Sequence, residues 1–90
     1  MENLFFLVKA DLLLHENTFE KLRNFVENID VSTLSSQQFY TIDYSVEKDD
    51  VDYYNTDISL YPNIKNFLTA FYSSGYMFMD FATLKKYLNI

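Results

Sequence analysis

Tyr40-Thr41-Ile42-Asp43-Tyr44-Ser45-Val46-Glu47, then Lys48-Asp49-Asp50-Val51-Asp52, then Tyr53-Tyr54-Asn55-Thr56-Asp57-Ile58-Ser59-Leu60: this stretch decides the reading of the chain. In the first block Tyr40, Ile42, Tyr44 and Val46 alternate with polar residues, as in a half-buried strand. In the last block Tyr54, Thr56, Ile58 and Leu60 alternate with Tyr53, Asn55, Asp57 and Ser59. Joined as a hairpin around the five-residue loop Lys48–Asp52, the strands set Val46 opposite Tyr54, Tyr44 opposite Thr56, Ile42 opposite Ile58 and Tyr40 opposite Leu60. That register places the apolar positions on one face. A slip of one residue would set Asp43 and Glu47 against Ile58 and Tyr54.

The same stretch holds the charge. Asp43, Glu47, Asp49, Asp50, Asp52 and Asp57 are accompanied only by Lys48, so the segment carries −5 of the chain's −6. In the expected register Asp43, Glu47, Tyr53 and Asp57 share the outer face, and Asp49, Asp50 and Asp52 sit at the tip. Asp43 opposite Asp57 costs up to about 1 kcal/mol in repulsion. The cluster repels nucleic acid and anionic membrane and attracts basic surfaces. The plainer expectation is a solvated loop whose charges stop edge-to-edge aggregation. Asp50 and Asp52 have the D-x-D spacing of a calcium loop, but the next ligand position is Tyr54 and no Gly follows, so no metal site is expected.

Outward from the hairpin, Leu4–Ala10 is a short apolar run of strand type. Asn17 and Glu20 have the spacing of a capping box, and Phe19, Leu22, Val26 and Ile29 continue as one face of a helix over Thr18–Ile29. Asp30–Gln38 is a loop with turn chemistry at Ser32, Thr33, Ser35 and Ser36, and Leu34 pins it to the core. Pro62 at N1 opens a second helix with Ile64, Phe67, Leu68, Phe71 and Tyr72 as its stripe. Gly75, the chain's single Gly, is its left-handed C-cap. Tyr76–Met79 is a short strand or a turn. Asp80 caps a last helix with Phe81, Leu84, Tyr87 and Leu88 on one side.

This order reads as a single α+β domain over residues 1–90, ferredoxin-like βαββαβ with an added C-terminal helix. There the Gln38–Glu47 strand lies at a sheet edge. The alternative is a three-stranded antiparallel sheet with three helices.

Composition bounds the function. Ninety residues make one domain. Eight Tyr and nine Phe give it enough large apolar side chains to fold. Most of the Tyr residues fall on apolar stripes and are expected in the core; Tyr53, among carboxylates, suits an arginine hot spot. The absence of Cys excludes disulfides, thiolate metal sites and a Cys nucleophile, and favours a reducing compartment. Met1–Asn3 lacks the basic start of a signal peptide, and no run approaches a membrane span, so a cytoplasmic location is expected. His15 stands without a second ligand. No phosphate-binding, nucleophile-elbow or dinucleotide motif is present, so neither an enzyme nor a cofactor is expected. Seven scattered Lys and Arg residues lack the basic footprint of direct nucleic-acid binding.

What remains is binding. The expected contact set is Asp43, Glu47, Asp49, Asp50, Asp52, Tyr53 and Asp57. Its expected partner is a basic protein surface, that of a nucleic-acid-binding protein or nuclease, whose nucleic acid the hairpin would exclude. In size, acidity, lack of Cys and lack of catalytic motifs the chain resembles the small phage proteins that block host defence, such as anti-CRISPR and anti-restriction proteins. That resemblance implies an inhibitor acting as a DNA mimic in the host cytoplasm. Two alternatives stand beside it: an immunity protein or antitoxin against a basic nuclease, and a homo-oligomeric structural or regulatory module, with a homodimer as its simplest form.

Overall fold

A computed structural model describes residues 4–35 and 38–90. The expectations for Met1–Asn3 and Ser36, and the side chain of Leu60, lie outside the described residues. The elements are β1 (Phe5–Lys9), α1 (Asp11–Leu14), α2 (Glu16–Asn28), β2 (Phe39–Ser45), β3 (Asp50–Thr56), α3 (Ile64–Ser73), β4 (Tyr76–Asp80) and α4 (Phe81–Tyr87). The fold is a small single-domain α+β structure with a four-stranded mixed sheet. Tyr76–Asp80 is a strand, so the three-stranded alternative does not form.

The expected elements form in the expected order, with the short helix α1 added between β1 and α2, but the sheet order does not match a ferredoxin-like fold. It runs β3-β2-β1-β4, with β1 and β2 adjacent and parallel and with β3 and β4 antiparallel at the edges. A split βαβ unit would insert a strand between β1 and β2. Here β2 is interior rather than an edge. The physical reason lies in its sequence: Tyr40, Thr41 and Ile42 are all buried, so both faces of β2 are covered. The connection from Lys9 to Phe39 carries two helices, ample for the dozen or more residues a parallel crossover needs.

Helices cover both faces. On one, Phe6, Val8, Tyr40, Ile42, Val51 and Met79 pack against Leu12 of α1, Leu22 and Val26 of α2, and Leu84 and Leu88 of the C-terminal segment. On the other, Phe67 of α3 is fully buried, with its ring 5.3 Å from that of Phe39 and 5.1 Å from that of Phe71. Phe78 stacks on Phe5 at 5.3 Å beside them. Leu34 reaches the first core, as expected.

Several helix starts shift. The N-cap of α2 is His15, without a side-chain cap, and Asn17 lies within the first turn. Thr18 explains this: its hydroxyl donates to Leu12 O and His15 O, both at 3.1 Å, tying α1 to α2 and drawing the helix start back. Asn63 caps α3, accepting from Asn66 N at 2.9 Å, so Pro62 precedes the cap instead of occupying N1. Gly75 has φ +87° and ends α3 as expected, and Asp80 caps α4 by accepting from Thr83 N at 2.9 Å.

Candidate functional site: the acidic hairpin

The β2–β3 hairpin forms in a register different from the expected one. Ser45 pairs with Asp50, Tyr44 with Val51, Asp43 with Asp52, Ile42 with Tyr53, Thr41 with Tyr54 and Tyr40 with Asn55. The loop is the four residues Val46–Asp49, closed by Asp49 N donating to Val46 O at 3.3 Å. Asp49 takes φ +52°, a left-handed conformation that Asp tolerates better than most residues.

The offset from the expected register is odd, so it turns β3 over. Val51 and Tyr53 now face α2. Val51 is buried, and the Tyr53 ring lies 5.6 Å from Phe25 and 6.0 Å from Tyr40. Tyr53 is therefore not on the acidic face; its neighbour Tyr54 is, half exposed. Val46, expected inside, is 85% exposed. Tyr72 and Tyr87 also stand outside the core, 79% and 50% exposed.

Two local features fix this outcome. Asp57 accepts from Ser59 N at 2.9 Å and from Ser59 Oγ at 2.6 Å, starting a 3-10 turn over Ile58–Leu60 that ends the strand before Ile58. Asp30 does the same with Ser32 at the 3-10 turn Val31–Thr33. The repeated Asp-Val/Ile-Ser triplet is the sequence signal for this stop. The second feature is the buried pair Thr41–Thr56, whose hydroxyls lie 2.5 Å apart and pin β3 to β2.

The expected contact residues are thereby divided. Glu47, Asp49 and Asp50 stand exposed at the tip. Asp43 and Asp52 are half-buried, directly opposed on the outer face beside Tyr54. Asp57 lies at the far end of β3, roughly 20 Å away at ~3.3 Å per residue. The opposed pair expected for Asp43 and Asp57 is Asp43 and Asp52 instead.

Cations temper the cluster. Lys48 Nζ lies 2.7 Å from Asp52 Oδ2. Lys21 reaches from α2, donating to Asp49 O at 2.9 Å and standing 3.5 Å from Asp49 Oδ1 and 5.4 Å over the Tyr44 ring. The Tyr44 hydroxyl donates to Asp49 as well, fastening the tip to the body. Five carboxylates and two ammonium groups leave the tip region at −3. Lys21 was not among the expected site residues, since twenty-eight positions separate it from Asp49. Neither was Tyr76, whose hydroxyl donates to Asp43 from the opposite edge of the sheet.

The hydrogen bond from Lys48 holds the Asp52 carboxyl below its ordinary value, with the Tyr53 N–H helping, and Lys48 is raised in return. Ser59 and Thr83 hold Asp57 and Asp80 low in the same way. Burial pushes the Tyr76 phenol well above its ordinary value, and the bond to Asp43 adds to this. A shallow cleft of about 300 Å³ lies along Asp43, Tyr44, Ser45, Asp52, Tyr53 and Tyr54. Among the described residues, no group of three or more His, Cys, Asp or Glu is placed to hold a metal, and no helix is long and apolar enough to cross a membrane. Comparison with protein-family models, with curated proteins and with solved structures finds no match to this chain.

Proposed function

We propose that this protein is a small acidic binding protein whose hairpin tip docks on the basic, nucleic-acid-binding surface of another protein and excludes the nucleic acid. One observation carries the reading: Glu47, Asp49 and Asp50 are exposed together on a braced turn, with Asp43 and Asp52 adjoining on the outer face. Bracing by Lys21 and Tyr44 reduces the entropy lost when a partner orders the loop. Carboxylates two positions apart on a strand are spaced roughly 7 Å, similar to successive phosphates on one nucleic-acid strand. Tyr54 stands beside Asp52 and offers a half-exposed aromatic ring to an incoming guanidinium. The inhibitor of the anti-CRISPR or anti-restriction kind expected from composition is one form this activity takes. Tyr53 and Asp57 do not belong to the proposed contact set, because one packs inward and the other lies at the far end.

The test compares three immobilised proteins against lysate of the native host. Wild type and an Asp57→Asn variant should retain the same nucleic-acid-binding protein, with retention falling steeply as salt rises. A folded variant carrying Asp43, Asp49, Asp50 and Asp52 as Asn and Glu47 as Gln should retain none. The retained protein must also release its nucleic acid when wild type is added. Equal retention by all three proteins, or nucleic acid that stays bound, would overturn the proposal.

A further inference from the structure

The other edge of the sheet carries an inference independent of the hairpin. Ala10 N donates to Gly75 O, and Phe81 N donates to Leu4 O, both at 2.9 Å. These two bonds flank the β1–β4 ladder and set its phase. Antiparallel pairs alternate between bonded and non-bonded, so the Val8–Met77 and Phe6–Met79 pairs exchange bonds with each other. The N–H and C=O groups of Tyr76 and Phe78 consequently point away from β1, where no strand lies beyond them among the described residues, whereas the carbonyl of Asp80, the N-cap of α4, accepts the first bond of that helix.

β4 reads Tyr76-Met77-Phe78-Met79-Asp80, with no charged side chain before its last residue, and the Asp80 carboxylate is engaged as the α4 cap. Open edges are ordinarily blunted by charge, proline or a bulge, and this one is not. Phe78 is 42% exposed. Beside it, Leu7, Leu68, Thr69, Tyr72 and Tyr76 complete with Phe78 a mostly apolar groove of about 280 Å³.

We propose that β4 pairs with β4 of a second copy of this chain, antiparallel about a twofold axis through Phe78, to make a continuous eight-stranded sheet. The segment is self-complementary in that register: Phe78 meets Phe78, Met77 meets Met79, and Tyr76 meets Asp80 of the other copy. No like charges are opposed. The outward N–H and C=O groups of the two Phe78 residues bond each other across the axis, and the Tyr76 carbonyl accepts from the Asp80 N–H of the second copy. Charge selects this edge over the other. Pairing through β3 would bring two acidic hairpins together, whereas pairing through β4 places them at opposite ends of the joined sheet. Seven strand spacings then separate the two β3 strands, roughly 34 Å, well beyond the ~8 Å screening length at physiological salt. The symmetry closes the assembly at two copies.

Sedimentation equilibrium over a concentration series tests this, with amide hydrogen exchange on the same samples. Wild type should approach twice the 10.7 kDa chain mass. Its Phe78 amide should gain protection as concentration rises, while the Met77 and Met79 amides are protected throughout by β1. Phe78→Lys sets two lysines face to face on the axis and should sediment as a single chain, with its circular dichroism unchanged. Phe78→Tyr keeps the ring and should remain dimeric. Should Phe78→Lys fail to fold, the wild-type exchange data decide alone. Wild type at single-chain mass at every concentration, a dimer with the Phe78 amide unprotected, or growth beyond two copies would each overturn the proposal.

Discussion

β3 and β4 hold equivalent places, each with one neighbouring strand and, among the described residues, none on its other side. β3 carries Asp50 and Asp52 and follows directly on Glu47, Lys48 and Asp49, whereas β4 has no charged side chain from Tyr76 to Met79. The hairpin edge is fastened by polar contacts: the Thr41–Thr56 hydroxyls, the Lys48–Asp52 pair, and Lys21 and Tyr44 on Asp49. The β4 edge is fastened by rings, with Phe78 on Phe5, Tyr76 against Phe71, and the Lys9 ammonium 4.7 Å above the Tyr76 ring. One sheet thus presents an acidic side that resists strand pairing and a side whose strand carries no charge before Asp80. On the two proposals made above, the two edges would serve two kinds of partner from opposite ends of the sheet.

The sharpest way to break this contrast is to place a charge on the inner phase of β3. Val51→Asp should destabilise the protein by upwards of about 3 kcal/mol, because the carboxylate would be buried without a partner against α2. A urea melt reads the loss. In the register expected from alternation Val51 sits in a solvated loop, so a melt unchanged by Val51→Asp would refute the observed pairing.

A smaller effect is expected at the hydroxyl pair. Thr41→Val should cost about 1–3 kcal/mol, since the buried Thr56 hydroxyl loses its partner. The double variant Thr41→Val with Thr56→Val should recover most of that loss. Additive costs would mean that the two hydroxyls are not coupled and that polar fastening of β3 is unimportant.

Acid sharpens the comparison further. The folded form holds Asp52 and Asp57 below their ordinary carboxyl values, as it does Asp30 and Asp80. Their stabilising contribution is therefore present above the unfolded value of about 4 and is lost as pH falls through the lowered folded values. The melting temperature should fall as pH drops below about 4, and an Asp52→Asn variant should fall less. An identical decline in the variant would remove Asp52 from the account. The smallest effect belongs to Lys48→Ala. Removing this exposed ion pair should change stability by less than about 1 kcal/mol while making the tip more negative. On the proposed function, it should speed association with the basic partner at low salt.

Much of this was legible in the chain. The continuous apolar run of β1, the helical stripe with Leu22 and Val26, the Gly75 terminus, the Asp80 cap and the strand that follows Gly75 all follow from local chemistry. The hairpin itself was legible too, because turn-forming polar residues separate two alternating runs. Its register was not. Tyr53 and Tyr54 are adjacent and equally aromatic, so alternation alone cannot say which faces inward. The tie is broken by α2, which brings Phe25 to Tyr53, together with the Asp57–Ser59 stop and the Thr41–Thr56 pair. The Asp57-Ile58-Ser59 stop was readable in principle, since Asp30-Val31-Ser32 repeats it, but alternation through Ile58 and Leu60 masked it.

The sequence by itself determined the class of fold, the placement of most elements and the gathering of negative charge in one hairpin, because each depends on residues near one another along the chain. The tertiary structure decided the parallel pairing of β1 with β2, the face on which Tyr53 lies, the recruitment of Lys21 and Tyr76 to the acidic segment, and the separation of Asp57 from it. Those depend on which helix covers which face of the sheet, a contest between burial energies of distant segments that no local pattern records.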